Sequence, residues 1–150
     1  MNWFVFTVDA EPIPQPRARR GAGGNFYTPK DHPVHTFKAM VAKSFKEERP
    51  RGWALDGAFE VSLTLYLPRI PRQSNAKKYP RGEVCWGHER VCDTDNVEKA
   101  TYDALKGLAW VDDKQVCLSH CKKLIQASDL PSCMVVGIRR LSVIPVSEWE

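Results

Sequence analysis

Proline placement constrains this chain more than any other feature. Pro12, Pro14 and Pro16 alternate with Ile13 and Gln15. Rings at that spacing exclude both a helix and a laddered strand, because each removes a backbone donor and fixes φ. Pro29 closes the stretch that follows, Pro50 ends a helical pattern, and Pro68 and Pro71 stop an alternating one. Regular structure is confined to the intervals between them.

Residues 3–8, Trp-Phe-Val-Phe-Thr-Val, read as a strand of aromatic and β-branched residues. From about Val34 to Glu48, Phe37, Val41 and Phe45 recur at steps of four, which predicts a helix. Phe59, Val61, Leu63 and Leu65 alternate with Glu60, Ser62 and Thr64 as in a half-buried strand. A second helix is predicted from about Asn96 to Lys106, with Val97, Ala100, Thr101, Ala104 and Leu105 on one stripe and Gly107 as its stop. Strand candidates 115–125 and 133–144 follow, separated by Asp129-Leu-Pro-Ser132, and residues 25–28 are long enough only for brief pairing. The order strand, helix, strand, helix, strand, strand predicts an α+β fold: a small mixed four-stranded sheet with two main helices.

A length of 150 residues suits a single domain, 1–150. The 43% hydrophobic and 27% charged fractions exclude disorder and a fibrous repeat. No apolar run approaches the roughly 20 residues of a membrane span. The opening apolar run meets Asp9, Glu11 and Pro12 without a basic leader or a small-residue cleavage site, so a cytoplasmic protein away from membranes is expected. An odd count of 5 cysteines points the same way, to reduced thiols. Cys85, His88, Cys92, Cys117, His120 and Cys121 offer zinc chemistry, but their spacings are not those of paired knuckles. Packing is the simpler reading, with Cys117 and Cys121 on one strand face.

A net charge of +4 is too mild to name a partner, and clustering says more. Arg17, Arg19 and Arg20 lead into a glycine-rich run within a basic loop, 12–30. Arg69, Arg72, Lys77, Lys78 and Arg81 fall in an irregular insert, 69–92, whose basic half contains no acid. Each group either grips phosphates or is solvated surface. Phe26, Tyr27 and Trp86 either stack on unpaired bases or pack against their own protein.

The chemistry concentrates in residues 93–116. Asp93 and Asp95 precede the second helix, while Asp95, Lys99 and Asp103 run along an outward edge. Asp112 and Asp113 return after one helix and a short loop. These are either caps, surface ion pairs and a solvated turn, or convergent carboxylates that hold Mg²⁺ beside a lysine. The second arrangement serves phosphodiester hydrolysis, where a water must be activated and a departing alkoxide stabilised.

The pattern Asp93-x-Asp95-Asn96-x-x-Lys99-Ala100-x-x-Asp103-Ala104-Leu105, followed by Trp110-x-Asp112-Asp113-x-Gln115-Val116, resembles the RusA family of Holliday-junction resolvases of bacteria, prophages and phages. The segment Pro12-Ile-Pro-Gln-Pro-Arg17 with Arg19 resembles the family's N-terminal proline and basic segment, and Tyr27-Thr-Pro29 also fits. The resemblance implies Mg²⁺, replaceable by Mn²⁺, on Asp93, Asp95 and Asp113, with Lys99 as the catalytic lysine. The choice between Asp112 and Asp113 rests on loop register. It also implies a homodimer that cuts a four-way DNA junction by paired symmetric nicks in recombination and repair. Arg17, Arg19, Arg20, Arg69, Arg72, Lys77 and Lys78 are then the expected DNA contacts. Val91-Cys92 stand where many members carry Lys-Pro, and the insert 69–92 is long. A non-catalytic branched-DNA-binding protein is the alternative, with no need for the acids; a zinc-stabilised interaction protein is another.

Overall fold

The computed structural model describes residues 2–73 and 75–143. In chain order it contains β1 (Phe4–Val8), β2 (Arg19–Arg20), β3 (Phe26–Tyr27), α1 (Val34–Glu48), β4 (Ala58–Leu67), β5 (Cys85–Trp86), α2 (Thr94–Leu105), β6 (Val116–Ile125) and β7 (Cys133–Leu141). Short 3₁₀ turns occupy Pro71–Gln73 and Asp113–Gln115. The sheet order is β1-β7-β4-β6-β5, and β2 and β3 form a separate two-stranded ribbon. Among the described strand pairs of the sheet only β4 and β6 run parallel. A parallel pair needs a crossover, which the insert and α2 supply.

Alternation decides where the core lies. Phe59, Val61, Leu63, Leu65 and Leu67 are buried on one face of β4, with Met134, Val136 and Ile138 of β7 and Phe6 and Val8 of β1 beside them. Against that face α1 packs Val34, Phe37, Val41 and Phe45, and α2 packs Val97, Ala100, Thr101 and Leu105. Ring contacts run without a break through Phe4, Phe6, Phe45, Trp53, Phe59, Trp110 and Tyr102, with centroids 5.4 to 6.2 Å apart. Each such pair adds roughly 0.5–1.5 kcal/mol beyond its area burial.

The α+β class and both helices agree with the sequence expectation. The sheet has five strands rather than four. The added one, β5, lies inside the supposedly structureless insert and pairs Cys85 and Trp86 with Ile125 and Leu124. Two residues carry no readable periodicity, so only the partner strand defines it. Helix α2 begins at Thr94 rather than Asn96. Strand β7 ends at Leu141, and residue 144 of the expected strand lies outside the described residues. Among the described residues no helix is long and apolar enough to cross a membrane.

The sheet face opposite the helices carries a buried carboxylate. Glu60 is 6% exposed, yet both of its oxygens are engaged. Arg139 Nε donates to Oε2 at 2.9 Å, and His120 Nε2 lies 2.9 Å from Oε1. The Arg139 guanidinium, which also sits 4.8 Å over the Trp3 ring, holds the Glu60 carboxyl below its usual range. Stability from this pair is therefore full above the ordinary value of 4.5 and is lost as pH falls through the lowered folded value. In thermal melts, Glu60→Gln is expected to lower Tm at pH 7 and to flatten the fall of Tm below pH 4.5. An unchanged acid profile would contradict this pairing.

Candidate active site

Helix α2 opens on acids. Asp93 is its N-cap residue by backbone conformation, but its carboxylate makes no capping bond. Among the described residues it accepts only a long 3.3 Å bond from Asn96 Nδ2. Asp95 lies in the first turn, and both carboxylates are solvent-exposed. The capping explanation of Asp93 therefore fails at the side chain. The ion-pair explanation fails as well. Among the described residues Lys99 has no carboxylate within ion-pairing distance, and Asp103 pairs instead with Lys38 of α1 at 3.3 Å.

The return loop separates Asp112 from Asp113. Asp112 caps the 3₁₀ turn by accepting from Lys114 N at 3.0 Å, and that bond holds its carboxyl below the usual range. Asp113 Oδ1 accepts from Trp110 Nε1 at 2.9 Å, and the Trp110 side chain is wholly buried in the aromatic chain. Gln115 locks the loop to the chain entering β4. Its Oε1 accepts from the backbone of Val111 and Asp112, both at 2.9 Å, while Nε2 donates to Leu55 O at 2.7 Å and Gly57 O at 3.0 Å. The register thus gives Asp112 a structural bond and leaves Asp113 at the cleft.

Asp113, Lys99, Asp103, Asn96 and Arg17 line one open cleft of about 680 Å³. Asp93 lines an adjoining cleft of about 520 Å³, also bordered by Asn96 and Arg17, with Cys92 and His32. Asp95 lines neither. The proline segment forms the wall shared by the two, fastened where Gln15 N donates to Asn96 O at 2.8 Å. Gln15 Oε1 is buried there without a hydrogen-bond partner among the described residues, an open acceptor between the clefts.

Metal fit follows from the donors. Asp93, Asp95 and Asp113 offer only hard carboxylate oxygens, the ligand class of Mg²⁺, and Asp113 has one oxygen fixed by an indole. Among the described residues no three His, Cys, Asp or Glu side chains stand close enough, as they are, to hold an ion. Two carboxylates at 4 Å repel by about 4 kcal/mol at an effective dielectric of 20, so a cation is needed to draw such a set together. The cysteines complete no such group among the described residues either: Cys92 is buried, Cys117 is exposed, and burial pushes the half-buried Cys121 thiol up to about 12.

Two residues of this region escape sequence reading. Glu98 is half-buried, and burial, followed by the charge of Asp95, raises its carboxyl above the usual range. Its only sequence signal is a position three residues after Asp95. Lys123 leaves β6 on the core-facing side and donates to Arg90 O at 2.8 Å and Cys92 O at 3.2 Å. It thereby pins the backbone that delivers Asp93. Nothing in the alternation of β6 marks it.

The basic residues divide. Arg17, Arg19, Arg20 and Lys77 are exposed. Lys78 and Tyr79 both bond the Glu89 carboxylate. The Arg72 side chain lies outside the described part. Arg69 does not face solvent as expected. It donates to five backbone carbonyls: Gln126 at 3.0 Å, Tyr79 and Pro80 at 2.7 Å, Glu83 at 3.0 Å and Gln73 at 3.4 Å. Its guanidinium organises the insert and has no donor to offer DNA.

The family model described as "Endodeoxyribonuclease RusA" matches residues 9–135. The chain is also similar to the "Uncharacterized protein YqaN" of Bacillus subtilis (strain 168). The two are 31% identical over 120 residues, covering 77% of this chain and 83% of the relative.

Hydrogen bonds from a charged donor contribute about 1.5–3 kcal/mol each. Arg69→Ala is therefore expected to cost about 3 kcal/mol in urea denaturation and to open residues 69–92 to proteolysis. Lys77→Ala, an exposed change, should stay within about 0.5 kcal/mol. Equal effects of the two would contradict the role of Arg69.

Proposed function

The chain belongs to the RusA family of endodeoxyribonucleases, and from that premise we propose that it is a Mg²⁺-dependent resolvase that cuts four-way DNA junctions. What supports this reading above all is the cleft lined by both a Trp110-held Asp113 and Lys99, which has no ion-pair partner among the described residues, beside the acid-bearing start of α2. A non-catalytic DNA-binding module has no use for that arrangement.

In this reading Asp93, Asp95 and Asp113 hold Mg²⁺, with Mn²⁺ able to replace it. The bound ion supplies Lewis acidity and a water of lowered pKa. Trp110 keeps Asp113 turned toward the cleft. The Lys99 ammonium faces a phosphoryl oxygen or the departing 3′-oxygen, where it offsets negative charge as it develops. Hydrolysis leaves a 5′-phosphate and a 3′-hydroxyl. Arg17, Arg19, Arg20 and Lys77 bind phosphates and orient the strand.

Residues 1–150 act as one nuclease domain in this reading, and two copies form a homodimer. A two-fold dimer presents equivalent sites to opposed strands, so paired nicks are symmetric. Such an enzyme works in recombination and repair in a bacterial cytoplasm, or in that of an infected cell if a phage encodes it.

The test is incubation of a synthetic four-way junction and a linear duplex with Mg²⁺ or with chelator. The junction should be nicked in Mg²⁺ alone. Asp95→Asn and Asp113→Asn should each reduce nicking by at least about 100-fold, more than loss of an outer-shell partner costs, while junction binding persists. Binding without nicking in either Mg²⁺ or Mn²⁺ would favour the non-catalytic module. Affinity should fall steeply with salt, as phosphate contacts release counterions, and salt-insensitive binding would remove the role of the basic residues.

A further inference from the structure

The β2–β3 ribbon springs directly from the wall of the cleft. Gln15 N is bonded to Asn96 O, Arg17 lines the cleft, and β2 begins at Arg19. The return foot is also held: Pro29 O lies 2.9 Å from His35 Nε2 of α1. Between the feet the tip is closed by Gly21 N to Asn25 O at 2.7 Å and Gly24 N to Gly21 O at 3.0 Å. Gly24 has φ +83, which favours glycine there. A side chain added at Gly23 would meet nothing, so the tip is slender as well as defined.

The register sets Arg19 opposite Tyr27 and Arg20 opposite Phe26. Opposed residues share a face, so each face of the ribbon joins a guanidinium to a ring. Phe26 is 71% exposed and Tyr27 50% exposed. Tyr27 leans on Gly21, 3.6 Å from where a Cβ would stand, whereas Phe26 is the more open ring. Burying a phenylalanine is favourable, and this protein leaves that gain unused at a cationic finger beside its cleft. Arg20 lies three positions after Arg17, a reach of at most about 10 Å or about three nucleotides of a strand.

We propose that this ribbon probes the crossover of branched DNA: Phe26 stacks on an unpaired base while Arg19 and Arg20 hold the flanking phosphates. The proposal rests on the nuclease reading above and supplies its selectivity for branched over linear DNA. Arginine on phosphates and a ring on a base is the pairing that unpaired nucleic acid requires, and a continuous duplex offers no open base face.

The experiment measures binding, in chelator, to a four-way junction carrying 2-aminopurine at the crossover and to a linear duplex of equal length. Wild type and Phe26→Trp should change the 2-aminopurine fluorescence. Phe26→Ala should abolish that change and weaken junction binding about tenfold, within the range of base–aromatic stacking, with duplex affinity unaltered. A Phe26→Ala protein that still perturbs the fluorophore, or that loses junction and duplex affinity alike, overturns the proposal. If wild type nicks junctions in Mg²⁺ but Phe26→Ala behaves as wild type, only this proposal fails. If wild type neither prefers nor nicks junctions, the nuclease reading fails with it.

Discussion

The hydrogen bond from the Trp110 indole to Asp113 joins the interior of this protein to its cleft. Trp110 is sealed between Phe59 and Tyr102, and its single polar atom points at the one carboxylate that the return loop leaves free. An unpaired indole N–H in that position would carry a desolvation cost of about 1–3 kcal/mol. Core packing therefore selects the direction of Asp113. Gln115 completes the restraint by fastening the same loop to the chain entering β4. The acids of α2 are carried on a rigid element whose buried stripe faces the sheet, so the two halves of the site stand on one core.

Charge is distributed with the same economy. Acids that serve structure are paired: Glu60 with Arg139 and His120, Glu89 with Lys78 and Tyr79, Asp103 with Lys38. Asp93 and Asp95 stand exposed, and Lys99 lacks an anionic partner among the described residues. Neutralised charges hold the scaffold, while Asp93 and Lys99 line the clefts without an ion-pair partner among the described residues.

Much of this was readable from residue pattern. The stripes of α1 and α2 and the alternation of β4 identify the core because burial repeats with the period of the element. Asp93, Asp95, Lys99, Asp112 and Asp113 stand out by spacing, and the resemblance selects Asp113 from the last two. Asp112 and Asp113 are equally acidic in sequence, and only the fold shows that Asp112 caps the 3₁₀ turn while Asp113 lines the cleft. Arg69 misled because an arginine among basic residues looks solvated, while the carbonyls that surround it come from segments up to 57 positions away. Strand β5 was hidden by its length. The exposure of Phe26 was equally hidden, because an aromatic residue in a short ribbon packs or protrudes according to neighbours that pattern does not reveal.

The central claim is that Asp93, Asp95 and Asp113 share one divalent ion. Electron paramagnetic resonance during Mn²⁺ titration tests it directly, because bound and free Mn²⁺ differ in signal without any need for turnover. The account predicts saturable binding by the wild type that is strongly weakened by Asp93→Asn, Asp95→Asn and Asp113→Asn alike, and preserved in Asp112→Asn. Wild-type binding that survives each of the three substitutions, or that Asp112→Asn abolishes instead, would contradict it.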